Sequence, residues 1–190
     1  MKKQFIVSTD GTPITIIFSD NYTQWLETQN AFIQNWLNSN KYDGRGLSII
    51  PNETGAISAV IYGIEKEYDY FIAGDLPTLL PLGQYRLSDL PEALESTDQF
   101  ILEFAISWGL ASYSYDRYKK ESKALPLLAL SSEKVMEDAL KTVTSIYLVR
   151  DMINCPAGDL MPQDISKIVD DLASTYSGIN VKNIIGEELL

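Results

Sequence analysis

Histidine is absent from this 190-residue sequence, and cysteine occurs only once, at Cys155. Without histidine the chain cannot form a Ser-His-Asp triad, a Cys-His pair or a histidine-ligated metal site. A single cysteine excludes an intramolecular disulfide and any Cys-x-x-Cys site. Cys155 itself stands between Asn154 and Pro156, with no basic neighbour to favour the reactive thiolate. Acidic side chains are therefore the only plentiful residue type with catalytic chemistry.

Basic residues are also scarce, with 15 Lys and Arg against 26 Asp and Glu, so the formal net charge is −11. Nucleic-acid binding depends on Lys and Arg contacts to phosphate, and anionic membrane surfaces also attract cations. The balance predicts neither a nucleic-acid nor a membrane partner. No apolar run reaches the roughly 18 residues of a membrane span. The first ten residues lack the apolar core of a signal peptide, which predicts a cytoplasmic protein.

The acidic residues do not form a convincing site. Glu65, Glu67 and Asp69 alternate and could be imagined as ligands for a hard metal ion, but such alternation is more typical of a solvated face. Asp170-Asp171 falls on the polar side of its predicted helix. The Gly44-Arg45-Gly46 turn lacks the third glycine and the following helix of a phosphate-binding loop. We therefore predict that the chain contains no catalytic, cofactor-binding or metal-binding residue.

Apolar runs predict the strands of one mixed sheet. They lie at residues 5–7, 14–18, 47–50, 56–63, 68–73 and 125–130, and residues 84–87 are also expected to be extended. Asp10-Gly11 is a hairpin signal and predicts that the first two strands pair. The short connection at 64–67 predicts that strands 56–63 and 68–73 form an antiparallel pair.

Three helices are predicted to cover this sheet on both faces. Residues 22–37 carry an aromatic stripe at helical spacing, which favours core packing over a ligand groove. Ser96 and Gln99 form a capping-box pattern that opens a helix at 96–112. A third helix is expected at 133–153. The fold class is thus α/β, a three-layer α/β/α sandwich with a mixed sheet.

Residues 149–162 are interpreted either as a junction between two parts of the chain or as an ordinary loop between helices of one domain, and local chemistry alone does not separate the two. Pro156 ends the preceding helix, and Pro162 occupies a first-turn position that tolerates its missing N–H. Beyond the junction, apolar spacing predicts a helix around 165–172, and a strand is predicted at 179–185. The predicted domains are 1–153 and 154–190. A helix and a strand cannot close a core, so the second part reads as the beginning of a larger domain.

Two motifs in this region resemble those of the leucyl (cytosol) aminopeptidases. Residues 150–162 read Arg-Asp-Met-Ile-Asn-Cys-Pro-Ala-Gly-Asp-Leu-Met-Pro and are similar to the segment that links the two domains of that family. Residues 108–119 read Trp-Gly-Leu-Ala-Ser-Tyr-Ser-Tyr-Asp-Arg-Tyr-Lys and resemble a run upstream of it. The family often has Asn where this chain has Gly158. Residues 79–87 match more loosely.

The resemblance implies an N-terminal domain with a macro-domain-like fold, followed by the start of a catalytic domain. It implies a hexameric parent that removes N-terminal residues from peptides by using two divalent metal ions, manganese or zinc. The motifs that bind those metals lie downstream of residue 190 in the family. The expected partners are the protein's own catalytic domain and further copies of itself. The alternative function is a macro-domain-like module for a nucleotide or ADP-ribose, although no glycine-rich loop precedes a helix here.

Overall fold

The computed structural model describes residues 4–66, 71–91, 98–121 and 123–189. Its strands are β1 (Phe5–Val7), β2 (Thr12–Phe18), β3 (Gly46–Pro51), β4 (Ile57–Ile64), β5 (Gln84–Leu87) and β6 (Leu127–Leu130). Its α-helices are α1 (Tyr22–Glu27), α2 (Ala31–Ser39), α3 (Leu76–Leu79), α4 (Asp98–Ala111), α5 (Glu133–Asn154) and α6 (Pro162–Thr175). Short 3₁₀ helices lie at Ser19–Asn21 and Gly186–Leu189.

The six described strands form one mixed sheet in the order β1-β6-β5-β2-β4-β3. All neighbours are parallel except β3 and β4, which are antiparallel. Phe5 pairs with Leu128 at one end of the sheet, and Ile14 pairs with Val60 near the other. The predicted mixed sheet is confirmed.

Strand β2 shows how the sheet is covered on both faces. Ile14, Ile16 and Phe18 alternate into one core, which they share with residues of α4 and α5. Ile17 points into a second core on the opposite face, where residues of α1 and α2 pack. A central strand buried on both faces has to be apolar at nearly every position, as β2 is. The predicted three-layer α/β/α arrangement is confirmed.

The predicted hairpin between the first two strands is wrong. β1 pairs with β6, and β2 lies between β5 and β4, so two strands separate β1 from β2. The connection instead passes over the start of β5, where the Gln84 side-chain amide donates to the carbonyl of Asp10 at 2.6 Å. Gly11 has a φ of +140°, and a Cβ there would meet the Gln84 carbonyl oxygen at 3.0 Å. The glycine serves a close crossing of backbones rather than a hairpin turn.

The antiparallel partner of β4 also differs from the prediction. It is β3, which is joined to β4 by a turn in which the Asn52 side chain accepts from the N–H groups of Thr54 and Ala56. Of the strand predicted at 68–73, residues 68–70 lie outside the described residues. Phe71 and Ala73 lie in turns that lead to α3.

The helix predicted at 22–37 is two helices, α1 and α2. Asn30 adopts extended backbone angles and its side chain accepts from the N–H of Ile33 at 3.0 Å, which caps the start of α2. The Thr28 hydroxyl meanwhile donates to the carbonyl of Trp25 at the end of α1. The aromatic stripe still packs on the sheet, because Tyr22 and residues of both helices contact the second core. Ser96 of the predicted capping box lies outside the described residues.

The chain divides into two compact units, Met1–Tyr147 and Leu148–Leu190. In the second unit α6 forms as predicted, but residues 179–185 are not a strand. Within the described part of the chain, no strand lies beside this segment to supply hydrogen bonds. Asn183 instead folds against α6, where its side chain accepts from the hydroxyl of Ser166 at 2.7 Å. The domain boundary after residue 153 remains a prediction.

Candidate functional site

A cleft of about 260 Å³ opens beside β2 in the first unit. It lies beside the points where the chain leaves β2 and β5. After β2 the chain enters α1, which packs on one face of the sheet, and after β5 it leads to α4, which packs on the other face. Ligands of open α/β sheets bind at such switch points, at the carboxyl ends of parallel strands. The position of this cleft makes it the leading candidate site of the first unit.

Three segments line the cleft. They are the end of β2, the first turns after it, and the chain beyond β5, and their lining residues are Thr15, Ile16, Ile17, Phe18, Asn21, Gln24, Trp25, Thr28, Asp89, Leu90 and Pro91. The last segment continues alongside β2 after β5 has ended, since the N–H of Ile16 donates to the carbonyl of Asp89 at 3.0 Å. The hydroxyls of Thr15 and Ser88 lie 3.2 Å apart and tie the same segments together.

The polar side chains of the cleft differ in whether they already have partners. The hydroxyl of Thr28 already donates a hydrogen bond to the carbonyl of Trp25. Within the described part of the chain, the side chains of Asn21, Gln24 and Asp89 make no hydrogen bond or ion pair. Asp89 is the only ionisable residue among the described residues that line the cleft. The half-buried indole of Trp25 stacks on Tyr22 with ring centroids 6.3 Å apart, which fixes the aromatic wall.

A smaller cavity of about 170 Å³ lies at the carboxyl ends of β1, β5 and β6. It contains Arg86 together with hydroxyl groups of Ser8, Thr9 and Ser131. Ser132, next in sequence, is occupied in capping α5, because its hydroxyl accepts from the N–H of Val135 at 3.3 Å. This cavity is the smaller of the two and has a cation where the larger cleft has a carboxylate.

The structure does not gather the acidic residues considered above into a site. Glu65 pairs with Arg45 at 3.6 Å on the surface, while Glu67 and Asp69 lie outside the described residues. Asp170 lies 3.4 Å from the side-chain amide of Asn183. Within the described residues no three His, Cys, Asp or Glu side chains are grouped so as to hold a metal ion. That no such site exists in the whole chain remains a prediction.

Sequence reasoning missed a tyrosine cluster near the carboxyl ends of β2 and β4. Tyr22 and Tyr42 pack edge to face at 5.3 Å, and the hydroxyl of Tyr42 donates to the carbonyl of Gly46 at 2.8 Å. Burial, and secondarily the nearby carboxylate of Asp43, raise the pKa of Tyr22. Burial also raises the pKa of Tyr42 well above its ordinary value. With raised pKa values, both tyrosines are neutral packing groups at physiological pH.

No helix in the described part of the chain is long and apolar enough to cross a membrane.

Residues 12–131 match the family described as M17 aminopeptidase, N-terminal domain. Among curated relatives, the chloroplastic neutral leucine aminopeptidase of Solanum lycopersicum is 31% identical over 118 residues, which cover 53% of this chain and 21% of the relative. A probable cytosol aminopeptidase of Chlamydia trachomatis serovar D is 24% identical over 96 residues, 46% of this chain and 19% of the relative. The matched parts therefore span about a fifth of these relatives.

Solved structures agree over most of the chain. The cytosol aminopeptidase from Coxiella burnetii superposes with a TM-score of 0.79 and 29% identity, over 91% of this chain and 37% of that one. The bottromycin maturation enzyme BotP in complex with Mn has a TM-score of 0.60 and 18% identity, over 86% of this chain and 36% of that one, and shows likeness of fold alone. With the family match over most of the first unit, these comparisons show that the chain belongs to the M17 aminopeptidase family, whose N-terminal domain it contains.

Proposed function

We propose that this chain is the non-catalytic N-terminal domain of a leucyl aminopeptidase, joined to the beginning of its catalytic domain. The parent would remove N-terminal amino acids from peptides, as the names of the relatives indicate for those proteins. The role of the chain would be to pack on the catalytic domain and to contribute to the architecture of a homo-oligomer, which the family resemblance suggests is a hexamer. Its proposed location is cytoplasmic, although the tomato relative is a chloroplast protein.

The exposed apolar face of α6 carries this proposal. Ile165, Val169 and Leu172 recur at helical spacing and remain 41%, 40% and 37% exposed, and no residue of this helix is buried. Ile184 and Ile185 in the following segment are also exposed. An amphipathic helix is stabilised chiefly by burying such a face. The second unit is therefore best explained as part of a domain whose remaining core lies beyond residue 190.

Under this proposal, the residues that bind the metal ions lie in the remaining part of the catalytic domain. The described residues provide no cluster of metal ligands. The two divalent ions proposed for the parent, manganese or zinc, would be held by residues of the catalytic domain. The BotP structure in complex with Mn is consistent with a metal in a protein of this fold.

The test is association of this chain with the residues that follow it in the parent polypeptide, measured by calorimetry after the two parts are purified separately. Burying an Ile or Val side chain contributes about 1.5–3 kcal/mol. Ile165→Lys and Val169→Lys should therefore each weaken association by roughly tenfold or more. Gln163→Lys adds the same charge on the opposite side of α6 and should have little effect. Equal affinity for all three variants would show that the α6 face does not dock on the catalytic domain.

A further inference from the structure

We propose that the cleft beside β2 binds a small organic cation with an apolar side chain, the chemistry found at the amino terminus of a peptide. This inference concerns a binding site within the first unit. It does not depend on where the catalytic residues of the parent lie.

The cleft is suited in size and position to a small ligand. At about 260 Å³ it lies just below the roughly 300–1,000 Å³ typical of sites for drug-sized molecules. It is built on β2, which pairs along its length with β4 and is held to the chain beyond β5 by hydrogen bonds. A ligand there would contact rigid sheet on one side and α1 on the other.

The charge of the cleft selects against anions. Among the lining residues that the structure describes, Asp89 is the only ionisable group, and none is Lys or Arg. The chain as a whole carries a formal charge of −11, which disfavours phosphate and carboxylate ligands further. A protonated amine is the simplest partner for the carboxylate of Asp89, which has no ion-pair partner within the described residues.

The remaining lining residues specify the body of the ligand. Trp25, Leu90 and Pro91 are half-buried and provide an apolar surface on which an aliphatic or aromatic side chain would rest. The side-chain amides of Asn21 and Gln24 have no hydrogen-bond partner within the described residues, and can donate to and accept from a peptide group. An amine, an apolar side chain and an amide together define the N-terminal residue of a peptide rather than a free amino acid, whose carboxylate Asp89 would repel.

The experiment is a titration of the ¹⁵N-labelled 190-residue chain with L-leucinamide at pH 6.5, where an α-amine is protonated. The three tryptophan indole N–H signals are the readout, and Trp25→Phe assigns the signal of Trp25. Trp108 is fully buried and Trp36 donates to the carbonyl of Ile49 at 3.1 Å, so both serve as internal controls. We expect a saturable shift of the Trp25 signal alone.

Two comparisons test the role of the carboxylate. An exposed ion pair contributes up to about 1 kcal/mol, so Asp89→Asn should weaken leucinamide binding roughly three- to fivefold. The amine-free analogue 4-methylpentanamide should bind the unsubstituted chain more weakly by a similar factor. Asp10→Asn removes a carboxylate that precedes the start of β2, at the other end of the strand, and should leave affinity unchanged.

Three results would overturn the proposal. The first is the absence of any saturable shift of the Trp25 signal. The second is equal binding of leucinamide by the Asp89→Asn and unsubstituted chains, together with equal binding of the amine-free analogue. The third is a shift of the Trp25 signal by ADP-ribose but not by leucinamide, which would assign the cleft to the nucleotide-type function instead. None of these results bears on whether α6 docks on a catalytic domain.

Discussion

Gly63 on β4 lies against the backbone of the loop that leads into β3. A Cβ at position 63 would lie 1.8 Å from the carbonyl oxygen of Gly44 and 2.5 Å from its carbonyl carbon, whereas ordinary contact begins at 3.4 Å. In the sheet, Gly63 pairs with Gly46 of β3 and with Ile17 of β2. Because the obstacle is the backbone of Gly44, which lies two residues before the paired Gly46, Gly63→Ala cannot be accommodated by rotation of a side chain.

The cost can be estimated from what has to move. The loop would have to withdraw by roughly 1.5 Å, and overpacking of this kind costs about 1–3 kcal/mol. The same movement would strain the hydrogen bond from the Tyr42 hydroxyl to the carbonyl of Gly46, which contributes about 1 kcal/mol. We expect the free energy of unfolding to fall by about 3 kcal/mol, and Tm to fall by roughly 6–12 °C for a chain of this size.

Urea unfolding followed by circular dichroism would measure this change. Gly83→Ala is the matched control, because its nearest atoms are on the Tyr85 ring at 3.5 Å, an ordinary contact. That variant should unfold within about 0.5 kcal/mol of the unsubstituted chain. The reasoning is refuted if Gly63→Ala is as stable as Gly83→Ala.

Burial raises the pKa of Tyr22, Tyr42 and Tyr85, so their contribution to stability is complete below pH about 10 and is lost as the pH rises through the folded-state values. The free energy of unfolding in urea should therefore fall between pH 9 and pH 10.5, and Tyr42→Phe should reduce that fall; an identical slope would contradict it. Asn30→Ala removes the cap of α2 and should cost about 1 kcal/mol in the same assay. Asn35→Ala, on the exposed side of that helix, should cost nothing, and equal losses would show that the cap is unimportant.

Patterns that are local in sequence predicted most of the elements. Residues 125–130 are nearly all apolar, which identified β6 as a strand covered on both faces. The order of the strands in the sheet could not be predicted from local patterns, because Phe5 pairs with Leu128, which is far from it in the sequence. Asp10-Gly11 has the composition of a hairpin turn, and only tertiary pairing shows that β6 and β5 lie between the strands it joins.

The break between α1 and α2 was hidden by periodicity. Trp25, Leu26, Ile33 and Trp36 keep helical spacing across it, because both helices cover the same core. The available signal was the polar run at residues 28–30, in which Asn30 is a favoured capping residue.

The cleft could not be predicted from any single motif. Its walls come from residues 15–28 and 89–91, which are brought together only because the chain beyond β5 runs alongside β2. The sequence places Trp25 on an apolar stripe. It does not show whether part of that stripe stays uncovered, because this depends on where α1 ends. The sequence around Asp89 did not predict a binding site, because most of the residues that share the cleft with Asp89 are distant from it in the sequence.

The central claim, that this chain is a non-catalytic part of an aminopeptidase, is tested most directly by leucine p-nitroanilide turnover. The purified 190-residue chain should give the rate of a buffer blank with excess manganese or zinc, since the proposed function assigns the metal ligands to the catalytic domain. Added to the separately purified remainder of the polypeptide, it should form a complex that is active. Turnover by the chain alone, co-eluting with it through successive columns and responding to added metal, would contradict the account.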